Sequence, residues 1–179
     1  PISLKLLNAN QTAEWYTDEY KRGHAAGHDA LRTACALVGH LGVDEGNEAV
    51  DRFYTALGTQ AHKNGRRDEF RDNTVAFIDE CLANAGLSTT LNQTGQSTFD
   101  DEVAASTSVA LERTGKDVGT PILTFHPGQA NEGSFFGPVI ARIPRGEEAL
   151  KLWNAVEVVA TTPGVAELKR TLRSKPVFD

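Results

Sequence analysis

Hydrophobic positions follow two different rhythms along this chain. Ala30, Leu31, Ala34, Cys35, Val38 and Leu41 lie three and four apart, and Gly42 offers a stop, which predicts a helix. The polar stretch 8–20 leads into it. Val50, Phe53, Leu57 and Ala61 predict a second helix, capped by Asp44, with Glu45 and Glu48 favouring its positive dipole end and Asn64-Gly65 ending it. Phe70, Phe77, Ile78, Cys81, Leu82 and Ala85 predict a third before Gly86. A fourth runs from Ser97-Thr98 to Gly115, with Asp100 and Asp101 three residues beyond those hydroxyls, close to a capping box. This block carries no strand signal.

On either side the rhythm changes. Ile2, Leu4 and Leu6 alternate with Ser3 and Lys5, which reads as the end of a strand over 1–7. Residues 118–125 are β-rich, 126–133 have turn composition, and Ser134-Phe135-Phe136 returns as a second strand, so a hairpin is expected. Pro144 opens a helix with Ala149, Leu152, Trp153 and Val156 on one face and Glu147-Glu148 in its first turn. A last helix is expected after Thr161-Thr162, with Pro163 near its start and Lys169, Arg170 and Arg173 near its negative end.

Composition narrows the function classes. The 179 residues suit one domain, or one domain with an insertion, and 24 acidic against 18 basic side chains argue against nucleic-acid binding. No apolar run approaches the ~20 residues of a membrane span, so neither a membrane span nor a signal peptide is expected. Two cysteines cannot build a disulfide framework or a zinc cluster. Cys35 and Cys81 each fall on an apolar helical stripe, so both read as core residues rather than nucleophiles. His24 and His28, in His-Ala-Ala-Gly-His, have no third ligand and no Glu of a metalloprotease motif, and read as solvated histidines at a helix entry. His62 reads as a cation at the negative end of the second helix, or as a polar residue at a site entrance. No phosphate loop and no Ser-His-Asp set stands out.

The most informative segment is Val118-Gly119-Thr120-Pro121, directly before an apolar strand. Proline lacks a ladder donor, so Pro121 belongs at a strand's start or edge, and composition alone favours a trans bond before it.

Those four residues resemble the Thr-Pro loop before the third strand of DsbA-type thioredoxin-fold proteins. Phe135-Phe136-Gly137-Pro138-Val139, Ile143-Pro144-Arg145-Gly146-Glu147-Glu148-Ala149 and Leu152-Trp153 are similar to the actinobacterial branch that includes mycothiol-dependent nitroreductases. Glu167-Leu168-Lys169-Arg170-Thr171, Pro176 and Phe178-Asp179 fit the same branch. Ser3-Leu4, Leu7-Asn8, Tyr20 and Phe53-Tyr54-Thr55-Ala56-Leu57-Gly58 match it more loosely, and 66–116 match thinly.

The resemblance implies an α/β, thioredoxin-like fold with a helical insertion. Residues 1–8 and 117–179 would form a partial thioredoxin-like domain and 9–116 the insertion. The strand-helix-strand beginning is mostly absent, and a Cys-x-x-C pair is expected in the ~40 to 50 residues such a unit requires before Pro1. The implied activity is cytoplasmic thiol-disulfide oxidoreduction with mycothiol or a similar thiol as co-substrate and no tightly bound cofactor or metal. The expected partner is a small thiol or disulfide, not a nucleic acid or a membrane, and a homodimer is compatible. In the family the Thr-Pro bond is cis. Thr120 and Pro121 would present backbone N–H and C=O groups to an extended thiol substrate, and Asn8 and Tyr20 would contact the thiol or the electron acceptor. Two other readings stay open: an enzyme like the kappa-class glutathione transferases and hydroxychromene-carboxylate isomerases, and a non-catalytic module that kept the groove and lost the thiols.

Overall fold

The computed structural model describes residues 2–115, 118–172, 174 and 176–177. Pro1, Lys116, Asp117, Arg173, Lys175, Phe178 and Asp179 lie outside the described residues, and with them the expected boundary at 117 and part of the C-terminal match. The fold is mixed α/β, mostly helical with a small two-stranded antiparallel sheet. It divides into two units, Pro1–Ser108 and Val109–Asp179.

In the first unit, α1 (Leu4–Leu7) is a single turn capped by Ser3, whose side chain accepts from the Leu6 N–H. The strand expected over 1–7 is therefore corrected. A serine in position to accept from its own N3 amide turns the chain into a helix, and alternation over so few residues cannot outweigh that cap. Helix α2 (Asp18–Leu41) begins earlier than its apolar stripe, because Thr17 caps it by accepting from the Tyr20 N–H. It ends at Gly42, whose φ of 84° suits glycine, and Gly42 also opens α3 (Val43–Gly58). The two helices meet closely at Gly46, where a Cβ would stand 2.5 Å from Val38 Cα.

A π-helical turn (Thr59–Lys63) continues α3. The expected third helix is two, α4 (Arg67–Asp72) and α5 (Thr74–Asn84), broken at Asn73 with φ −137° and ψ 55°. Arg66 binds the pieces together. It meets Glu80 at 2.6 and 2.8 Å and Glu69 at 2.7 and 2.8 Å, with its guanidinium 5.2 Å above the Phe77 ring. After a 3-10 turn (Thr89–Leu91), α6 spans Asp100–Thr114. The core is Leu37 of α2, Ala49 and Phe53 of α3, and Phe77, Ile78, Cys81 and Leu82 of α5.

In the second unit the hairpin forms as expected. Strand β1 (Ile122–Phe125) pairs antiparallel with β2 (Gly133–Phe136), Ile122 opposite Phe136 and Phe125 opposite Gly133. Helix α7 (Gly146–Thr161) packs on the pair, its Trp153 ring 5.0 Å from that of Phe125. Gly133 sits so close to the Ala160 carbonyl that a Cβ there would collide with it. At the turn, His126 takes φ 51° and its Nε2 lies 2.8 Å from Glu157 Oε1.

The last expected helix does not form: the described residues beyond Pro163 carry no helix or strand. Leu168 and Leu172 are 77% and 87% exposed, so the apolar stripe that would drive helix formation has nothing to bury against. Without tertiary packing a helix this short is unstable in water.

Candidate functional site

The chemistry-bearing side chains of the first unit fall into a buried polar chain and an exposed aromatic cluster. The buried chain starts at Ser3, whose Oγ lies 2.9 Å from His28 Nδ1. His28 Nε2 lies 3.1 Å from Asp100 Oδ1. Arg32 holds both oxygens of that carboxylate, Nε to Oδ1 at 2.5 Å and Nη2 to Oδ2 at 2.8 Å, and its Nη1 reaches Asp29 at 2.6 Å.

The protons follow from the partners. The Arg32 hydrogen bonds hold the Asp100 carboxyl at about 2, so it is ionised and only accepts. Nε2 of His28 therefore carries the proton and donates to Asp100, which leaves Nδ1 to accept from the Ser3 hydroxyl. Burial pushes the His28 pKa down, keeping the ring neutral near pH 7. Ser3 also accepts from the Leu6 N–H at 3.3 Å, and its own N–H donates to Thr107 Oγ1 at 3.0 Å.

A Ser-His-Asp alignment thus exists that sequence reading missed. Ser3 is fully buried, so its hydroxyl meets no substrate, and the chain ties α1, α2 and α6 together rather than making a nucleophile. The expectation of a solvated His28 is corrected. The ring is 3% exposed because Asp100 and Ser3, 72 and 25 residues away in sequence, satisfy both of its nitrogens. The available signal was a polar stripe: His24, His28 and Arg32 recur every fourth residue on one helical face.

The aromatic cluster gathers where the chain enters α2. Trp15 meets Tyr20 edge-on at 5.8 Å and 87°, and Tyr16 at 5.6 Å and 62°. His24 stacks near Tyr16 at 5.4 Å, faces Tyr20 at 6.1 Å, and its Nδ1 lies 3.3 Å from the Tyr16 hydroxyl. Trp15 and Tyr20 are about half exposed. His24 is half-buried rather than solvated, and burial lowers its pKa. Of the expected site residues, Tyr20 belongs to this cluster, while Trp15, Tyr16 and His24 were missed. Asn8 closes α1 and spends its side-chain N–H on the Leu4 carbonyl at 2.9 Å, leaving Oδ1 without a partner among the described residues.

In the second unit Thr120 and Pro121 are exposed at the entry to β1, and the Thr120–Pro121 and Gly137–Pro138 peptides are cis. The Pro121 carbonyl accepts from the Gly137 N–H at 2.8 Å. The Thr120 N–H and C=O make no hydrogen bond among the described residues.

Neither thiol is a ready nucleophile. Burial pushes Cys81 up to about 11, and burial followed by the Glu102 charge raises Cys35. Cys81 is a core residue as expected, whereas Cys35 is only half-buried. His62 is not a cation: burial and Arg67 lower its pKa, and its Nδ1 accepts from Arg67 Nε at 2.8 Å. Among the described residues no group of three or more His, Cys, Asp or Glu is placed to hold a metal ion, and no helix is long and apolar enough to cross a membrane.

Comparison with known proteins adds a family and a relative. The family described as Rv2466c-like, mycothiol-dependent nitroreductase Rv2466c, has a model that matches residues 2–170. An uncharacterised protein of Mycobacterium tuberculosis (strain ATCC 25618 / H37Rv), Rv2286c, is 32% identical over 123 residues. That stretch is 68% of this chain and 49% of the relative, so the chain spans about half the length of the curated relative it matches.

Proposed function

Because the chain belongs to the Rv2466c-like family of mycothiol-dependent nitroreductases, we propose that it binds mycothiol and serves a mycothiol-linked redox reaction. The single observation that carries this reading is the family match over 2–170, nearly the whole chain. The thioredoxin-like assignment belongs to the same proposal: the hairpin and α7 are what these residues hold of that domain, and 9–116 are its helical insertion. The setting is cytoplasmic, where small thiols stay reduced.

In this reading Thr120 is the docking point for the thiol. Thr120 is exposed beside the start of β1, and its N–H and C=O would pair with an extended ligand as an added strand would. Asn8 Oδ1 accepts from a ligand hydroxyl or amide, and Tyr20 with Trp15 offers a flat acceptor an edge and a face to stack on.

The electrons come from thiol. Two mycothiol thiols oxidised to one disulfide release two electrons and two protons, and a nitro group taking both becomes a nitroso group with loss of water. Neither Cys35 nor Cys81 is suited to carry the exchange, since both thiols are held above their ordinary range. Within these residues the contribution is therefore binding and orientation of the thiol and the acceptor.

Calorimetric titration with mycothiol tests the proposal. Saturable one-to-one binding at least about tenfold tighter than that of glutathione, ~1.4 kcal/mol, supports it. Equal or undetectable binding of the two thiols overturns it.

A further inference from the structure

The His-Ala-Ala-Gly-His motif is not used by the function proposed above, yet both imidazoles hydrogen-bond to residues that precede α2. They lie four residues apart on one face of α2, about one helical turn from each other. Segment 9–16 runs between Asn8 and the start of α2, and its local ties are few: Ala9 N–H to the Leu6 carbonyl, Gln11 N–H to the Asn8 carbonyl, Ala13 N–H to Gln11 Oε1, and Tyr16 N–H to the Ala13 carbonyl. One imidazole sits at each end of it. His28 accepts from Ser3, the cap of the single turn that Asn8 closes. His24 meets the Tyr16 hydroxyl and lies against the rings of Tyr16 and Tyr20.

We propose that His24 and His28 are a positioning pair, which uses the rigid register of α2 to set Asn8 and the Trp15–Tyr20 aromatic surface at a fixed spacing for ligand. The proposal rests on the reading that Asn8 and Tyr20 contact substrate. Neither histidine touches the ligand: each acts through the residue it holds. The division of labour is specific. His28 fixes the α1 end, through Ser3 and against Asp100, and His24 fixes the aromatic end.

The test uses the full chain carrying Trp153→Phe, which leaves Trp15 as the sole tryptophan. The flat nitroaromatic 4-nitrobenzoate is titrated and quenching of Trp15 emission is followed. Amide exchange at Leu7 and Asn8, whose N–H groups donate to the Ser3 and Leu4 carbonyls, is measured alongside. His28→Phe should speed exchange at both amides about fivefold and leave the Trp15 emission maximum in place. His24→Phe should shift the emission maximum and leave exchange unchanged. Each should weaken 4-nitrobenzoate binding about fivefold, the worth of one hydrogen bond.

His28→Asn, whose Oδ1 replaces the acceptor lost at Nδ1, should restore slow exchange. Should His28→Phe fail to fold, His28→Gln, which keeps a donor for Asp100 and loses the acceptor at Nδ1, carries the same expectation. Wild-type exchange and emission in both variants, or the two signals changing together in either one, would overturn the positioning pair. Absence of saturable quenching in the Trp153→Phe protein itself would instead overturn the substrate-surface reading, while exchange and emission still decide the pair.

Discussion

His28 donates through Nε2 to Asp100 Oδ1 at 3.1 Å, and Arg32 holds both oxygens of the same carboxylate. This relationship makes the helical unit acid-sensitive in two steps. His28 has a folded pKa below the ordinary 6.5, so the unfolded chain takes up the proton first. Its contribution is full above about pH 6.5 and is lost as pH falls towards the lowered folded value. Asp100, held at about 2 against an ordinary 3.8, contributes above about pH 4 and loses that contribution between 4 and 2. His24 and His62 are lowered as well and add to the first step. Urea unfolding at pH 7, 6 and 5 should show falling stability, with each histidine contributing at most ~1.4 kcal/mol per pH unit. In His28→Asn the slope should be shallower.

Close backbone approach makes two glycines expensive to replace. Gly46→Ala places a Cβ 2.5 Å from Val38 Cα and should cost about 1–3 kcal/mol by forcing α2 and α3 apart. Gly27, on α2 with nothing near its would-be Cβ, is the control: Gly27→Ala should gain about 0.5–1 kcal/mol. Chemical denaturation of the two variants reads the difference. Gly133→Ala, against the Ala160 carbonyl, should separate the hairpin from α7 and redden Trp153 emission.

Phe125 is the most deeply buried apolar residue described in the second unit, at 6% exposure, and its ring packs on Trp153. Phe125→Ala should destabilise that unit by about 3 kcal/mol. The Trp153 signal should then unfold at lower urea.

Cys81 should resist a disulfide reagent at pH 8 until the chain unfolds, because the thiol is fully buried and its pKa is about 11. Cys35, half-buried, should react detectably but more slowly than a free thiol. Mass spectrometry of native and unfolded samples separates the two. Cys81→Ala should cost about 1 kcal/mol through the small cavity it leaves.

The sequence made legible what local chemistry decides. The hairpin was readable from apolar runs around a His-Pro-Gly turn, and the start of α7 from Pro144 followed by two glutamates. What it hid depended on distant partners. Nothing near His28 announces Asp100, and only the fold turns a histidine that reads as solvated into a buried bridge. The break at Asn73 was hidden for a similar reason, since Arg66 ties its flanks together through Glu80. The unformed last helix shows the converse: Leu168 and Leu172 have the right spacing, but periodicity alone supplies no surface to bury them. Within the candidate site, Tyr20 and the Thr120–Pro121 loop were expected from the family resemblance alone, whereas the packing of Trp15 and Tyr16 around His24 depends on where α2 begins, which the apolar stripe did not mark.

The most direct test of the central claim is a residue-resolved NMR titration of the chain with mycothiol. The account predicts saturable amide shifts at Thr120 and Ile122. Shifts confined to other residues, or none at millimolar thiol, would contradict it.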